Sequence, residues 1–226
     1  MRLAEIRRLY GTKKDELTRH LQPILQTRKN IQDAFAQNER LFDKLTAQHF
    51  RVLYHEAFHA YAHGFVYPPL GAMVNDPKAV GELPRWLNEG LAQVFETAIV
   101  EAGELRLGHA DPEMLKRIKD AIGKRELMPL NELLRSRSHD FIVTGGGDRV
   151  ASDRAYLTGW GMATYLMFER KWLGTPAFDE FVRSVNLKSD PVAAFAKGLE
   201  QDAGEFEKEF HAYLLRLQPD GTANGK

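Results

Sequence analysis

Apolar residues in the first 46 positions recur at steps of three and four. Leu17, Leu21, Ile24, Ile31, Phe35, Phe42 and Leu45 form one stripe on an otherwise charged segment, the pattern of an amphipathic helix. Gly11 and Pro23 interrupt that stripe and predict a split into two helices, read either as a coiled-coil arm or as a helical hairpin packed on the rest of the chain. Thr46 suits the N-cap of the next helix, over 47–63, with Gly64 as its stop. Phe50, Leu53, Ala57, Phe58 and Tyr61 are its expected buried side.

A loop rich in Pro, Gly and Asn comes next, from Phe65 to Leu83. Pro84 then opens a helix expected to run to about Ala102, with Gly103 as its stop. Glu104–Gly108 reads as a short strand, Pro112–Lys124 as a helix and Leu130–Leu134 as a short one. The loop from Ser136 to Val150 holds Gly145-Gly146-Gly147, a candidate flap or a plain connection. Asp153–Leu173, Phe178–Val185 and Pro191–Leu217 complete the helices, and Gln218–Lys226 reads as a disordered tail. The expected fold class is mainly α, α+β at most. Its parts are an N-terminal helical segment (1–46), a main domain (47–217) and the tail (218–226).

Composition narrows the chemistry. With 226 residues, 43% of them hydrophobic, the chain is long enough to bury a sizeable core. Its formal net charge of zero points to neither nucleic acid nor anionic lipid. No apolar run approaches the roughly 18 residues that cross a bilayer. Charges follow Met1-Arg2-Leu3 where a secretory signal would carry its apolar core. There is no cysteine, so any bound metal must be held by histidine and carboxylate.

His55-Glu56-Ala57-Phe58-His59 supplies such donors. On a helix, positions 55 and 59 lie one turn apart on one face, from which both rings reach a single tetrahedral zinc ion. Glu56 flanks that edge, placed to take a proton from a zinc-bound water. His63 extends the series, but two turns separate it from His55 by about 12 Å, too far to share one ion. A third ligand comes from Trp86-Leu87-Asn88-Glu89-Gly90-Leu91-Ala92, whose Glu89 is separated from His59 by 29 residues. That gap fits a helix, a loop and a returning antiparallel helix. The rival pattern requires glycine and histidine three and six positions after the second histidine. Here those positions hold Ala62 and Phe65.

These segments resemble the gluzincin metallopeptidases, in which the glutamate before this glycine is the third zinc ligand, here Glu89. Tyr156-Leu157-Thr158-Gly159-Trp160 resembles the family segment whose tyrosine stabilises the oxyanion. The whole layout, including Met128-Pro129-Leu130-Asn131-Glu132-Leu133-Leu134, is similar to a group of mostly uncharacterised bacterial proteins with a peptidase-MA-like domain. The resemblance implies a zincin-like fold, one zinc ion held by His55, His59 and Glu89, a peptide substrate, Glu56 as general base and Tyr156 as oxyanion donor. It also implies export or attachment to the cell envelope. Gly71-Ala72-Met73-Val74-Asn75 has valine where the aminopeptidase branch carries an amine-binding glutamate, and it comes after the zinc helix instead of preceding it. Aminopeptidase specificity therefore does not carry over. The upstream substrate-binding edge strand is likewise not evident.

Zinc-bound imidazoles normally donate their second nitrogen to an acceptor. Gln93 and Glu96 are candidates, and Asn88 is a candidate to bond backbone near the site. Trp86, Leu87, Leu91, Val94 and Phe95 read as core. Two other readings stay open: a zinc hydrolase of a non-peptide amide, ester or epoxide, and a non-catalytic zinc-binding interaction module.

Overall fold

The computed structural model describes residues 2–72, 79–141 and 148–223. It divides into two compact units, 1–49 and 50–226. The first unit lies wholly within helix α1 (Arg2–Tyr61), which passes through Gly11, Pro23 and Thr46 without a break. The expected split into two helices, and the separate start at 47, are therefore corrected. Pro23 lacks only its own N–H, and along an exposed helix water can satisfy the carbonyl left free. Helix-forming neighbours outweigh that local loss.

The second unit begins with the last turns of α1. There the expected buried side is also corrected: Phe50, Leu53, Ala57 and Tyr61 are exposed. The inward face is instead His55, Phe58, His59 and Ala62, with Phe58 stacked on Phe95 at a ring separation of 4.8 Å. Gly64 does not end the helix abruptly. It sits in a π turn, Ala62–Val66, closed by Tyr67 N–H donating to Ala62 O at 2.7 Å.

Helix α2 (Arg85–Phe95) starts after Pro84 and stops seven residues short of Ala102. Thr97, Ile99 and Val100 are β-branched and favour extended backbone. Strands β1 (Ile99–Glu101) and β2 (Glu104–Arg106) pair antiparallel, Ile99 opposite Arg106. Ala102 and Gly103, both with positive φ, make the two-residue turn between them.

The remaining helices are α3 (Pro112–Lys124), α4 (Leu130–Arg135), α5 (Asp148–Thr164), α6 (Pro176–Asn186), α7 (Pro191–Leu199) and α8 (Ala203–Arg216). Asp111, Thr175, Asp190 and Asp202 cap four of them through side-chain oxygens. The single helix expected over 191–217 is two, because Glu200 turns left-handed and Asp202 caps a new start. Likewise α5 passes at Thr164 into a π turn, Tyr165–Glu169.

The core lies around α2 and α5. Trp86, Leu87 and Leu91 are buried there with Trp160, Met162 and Leu166. The same core extends to an aromatic group of Trp172, Phe178, Phe181, Phe195 and Phe206 with ring separations of 5.1–6.4 Å. The residues after α8 are not a loose tail as far as Ala223. Gln218 N–H donates to Thr222 O at 2.7 Å, Leu217 bridges Ala223, and Ala110 N–H donates to Pro219 O at 3.0 Å. The glycine run at 145–147 and residues 224–226 lie outside the described residues. Among the described residues the protein is thus mainly helical with one short hairpin, and no helix there is long and apolar enough to cross a membrane.

Candidate metal centre

The end of α1 and the middle of α2 bring His55, His59 and Glu89 together, each offering one donor atom within 4.8 Å of the others. The two Nε2 atoms are 3.1 Å apart, and each lies 3.6 Å from a Glu89 carboxylate oxygen. Two donors bonded at about 2.0–2.1 Å to one tetrahedral ion sit about 3.3 Å apart. The spacing fits such an ion, and the nitrogen–oxygen donor set suits a first-row divalent cation.

Behind each ring stands an acceptor. His55 Nδ1 donates to Glu96 Oε1 at 2.8 Å, and His59 Nδ1 donates to Asn88 Oδ1 at 3.2 Å. These bonds fix both rings with Nε2 inward, as metal-ligating imidazoles require. Asn88 thus bonds a ring, not the backbone expected for it. Gln93 takes no part: its Oε1 is buried with no hydrogen-bond partner among the described residues. His63 points elsewhere, pairing with Glu82 at 3.2 Å on the surface.

Glu89 is 2% exposed. Burial by itself would raise its pKa. His55 and the charges of Arg85 and His59 outweigh burial and hold it below the usual carboxylate value. Arg85, one helical turn earlier, places Nη2 2.6 Å from Glu89 Oε1 as an ion pair. Sequence reasoning missed Arg85, although its i,i+4 spacing to Glu89 was a signal. Tyr156 on α5 faces the same space. Burial, then the Glu89 charge, pushes its pKa up, and Glu56 adds to the effect. Its hydroxyl donates to Phe141 O at 3.0 Å. Glu56 itself is exposed, immediately after His55.

Two glycines make this convergence possible. A Cβ on Gly90 would lie 2.3 Å from the Gly159 carbonyl oxygen, and one on Gly159 would lie 3.0 Å from Trp86 O. Backbones of α2 and α5 therefore touch where they cross. Glu89 is one residue from that crossing and Tyr156 one turn from it. Alanine at a helical glycine ordinarily stabilises by up to about 1 kcal/mol. Gly90→Ala is expected to do the reverse, destabilising by about 1–3 kcal/mol or more as the helices are pushed apart. Thermal melting with a parallel metal titration checks this, with both Tm and affinity falling.

Residues 51–193 match a family described as a protein of unknown function, DUF1570. That stretch is more than half of the chain. The chain belongs to the DUF1570 family. No curated protein and no solved structure matches it. The DUF1570 match takes in His55, Glu56, His59, Glu89 and Tyr156, and it ends inside α7.

The carboxylates of Glu89 and then Glu96 raise the His55 pKa from 6.5 to about 9, against the opposing effect of burial. With a proton on its Nε2, His55 can donate to His59 Nε2 across the 3.1 Å gap, and a metal must displace that proton. Apparent metal affinity is therefore expected to rise up to about tenfold per pH unit as pH increases toward 9. The folded pKa lies above the unfolded one. His55 therefore stabilises the metal-free fold fully below pH 6.5, and this contribution is lost as pH climbs through about 9. Melting curves with and without chelator from pH 6 to 9 measure both trends, the metal-induced gain in Tm widening with pH.

Proposed function

We propose that this DUF1570 protein is a zinc-dependent hydrolase with a zincin-like catalytic unit, cleaving peptide bonds. The observation that carries the reading is the three-donor cluster with an acceptor behind each imidazole. The order of the segments along the chain, two histidines with an intervening glutamate, then Asn-Glu-Gly, then Tyr156, supports it.

His55, His59 and Glu89 would hold the ion. Zinc bound there would supply Lewis acidity, lowering the pKa of a water in its remaining position toward about 7. Glu56, exposed beside His55, accepts the proton of the attacking water and returns it to the departing amine. Tyr156 turns its hydroxyl from the Phe141 carbonyl to the oxygen that gains charge on the substrate. A tyrosine hydroxyl is protonated and able to donate at neutral pH, and the upward shift at Tyr156 leaves it so. In the metal-free protein Arg85 pairs with the ionised Glu89, so the buried negative charge is met by a cation and not by a proton.

The test is incubation of the full chain with a proteome-derived peptide library, with and without chelator. New peptide termini are expected in the untreated sample, lost with chelator and restored by added zinc. Peptides left intact under all conditions, by protein shown to contain the metal, count against a peptidase and leave a non-peptide amide, ester or epoxide as the substrate.

A further inference from the structure

Helix α2 carries two charged side chains, Arg85 and Glu89. Glu89 is buried in the metal cluster, whereas Arg85, the first residue of the helix, is 39% exposed. Helix stability does not ask for a cation at that end. The N-terminus is the positive pole of a helix, α2 has no acidic residue in its first turn, and Pro84 gives it no side-chain cap. The guanidinium is also under-used. Of its five N–H donors, Nη2 meets Glu89 Oε1 at 2.6 Å, while Nε is buried with no partner among the described residues. It faces the space where a substrate would react. At the Tyr156 hydroxyl, burial and the Glu89 charge push the pKa up, and the Arg85 charge pulls the other way.

Arginine stays charged at every working pH. In the metal-free centre its charge is met by Glu89. A divalent cation bound to that carboxylate takes over the negative charge and leaves Arg85 a cation without a counter-ion at the edge of the site. We infer that Arg85 is a specificity-determining residue, whose exposed edge receives a carboxylate of the substrate beside the bond that is cut. This rests on the peptidase reading above and names its substrate class, peptides with a carboxylate next to the scissile bond. A guanidinium fork and a carboxylate match in two parallel hydrogen bonds, which neither an ammonium nor an amide can reproduce. The carboxylate has two possible sources, the free C-terminus of a peptide or an acidic side chain. Because the guanidinium is bonded to a donor of the cluster itself, either source sits on a residue adjoining that bond. An arginine that served only to neutralise Glu89 would be indifferent to the charge of the substrate.

Calorimetric titration of the zinc-loaded full chain carrying Glu56→Gln separates binding from turnover. The probes are N-acetyl-trialanine with a free C-terminal carboxylate, its C-terminal amide, and the same amide with a central aspartate. One carboxylate probe is expected to bind about 10–100-fold tighter than the neutral amide, and which one it is identifies the source. Adding Arg85→Gln should reduce that advantage to about twofold or less at unchanged zinc content. Arg85→Lys keeps a cation beside Glu89 but presents no fork, so it should lose part of the advantage; it carries the test if the glutamine variant binds no zinc. Equal affinity for the three probes, no binding of either carboxylate probe at about 1 mM, or an advantage untouched by the Arg85 substitutions each overturns the inference. The last result would place the carboxylate on the zinc instead. An uncleaved peptide library alongside an Arg85-dependent preference for carboxylate removes the peptidase reading alone and leaves Arg85 as an anion-binding residue.

Discussion

Glu56→Gln is expected to lower peptide turnover by about 10²–10⁴-fold while metal content stays at the wild-type level. The amide keeps the size and polarity of the carboxylate but cannot take the proton of an attacking water. Glu56 is exposed and is not one of the three clustered donors, so the substitution leaves the bonds from His55 to Glu96 and from His59 to Asn88 in place. Steady-state rates on a cleaved library peptide, with metal analysis of the same preparation, make the measurement. Unchanged turnover removes Glu56 from the mechanism. Turnover and metal lost together make it a structural residue.

The second large effect is on metal binding. Glu89→Ala removes the one buried donor and leaves two imidazoles on a single helix. Affinity is expected to fall at least about a thousandfold, near 4 kcal/mol, a proportionate share of what a full set of protein ligands contributes. The same substitution strips Arg85 of its partner at 2.6 Å and removes the main cause of the raised His55 pKa. Titration of His55, followed by its ring resonances in metal-free protein, should therefore move down from about 9 toward the ordinary value. Calorimetric metal titration of wild type and variant gives the affinity change, and an unchanged affinity excludes Glu89 as a donor.

Much of the candidate metal centre was legible in the sequence because it rests on local rules. One helical turn sets His55 beside His59, and an Asn-Glu-Gly segment on a later helix supplies Asn88 and Glu89. Glu96, one of two candidates on that face, proved to be the ring acceptor, whereas Gln93 did not. Periodicity cannot choose between them, since seven residues and four residues along a helix both return to the same side. The close crossing at Gly90 and Gly159 was beyond the reach of pattern reading. It depends on two backbones meeting from segments some seventy residues apart. Boundaries failed for a related reason. Gly11, Pro23 and Thr46 are local stop or start signals that a long exposed helix overrides. The early end of α2, by contrast, stems from β-branched residues whose preference outweighed an apolar pattern compatible with either state.

The most direct test is metal analysis of natively purified protein combined with X-ray absorption at the metal edge. One zinc ion per chain is predicted, with two imidazole nitrogens and a carboxylate oxygen at about 2.0–2.2 Å, and with the signal lost in Glu89→Ala. Protein that is folded but binds no divalent ion stoichiometrically, or binds one equally well without Glu89, contradicts the zinc-hydrolase proposal.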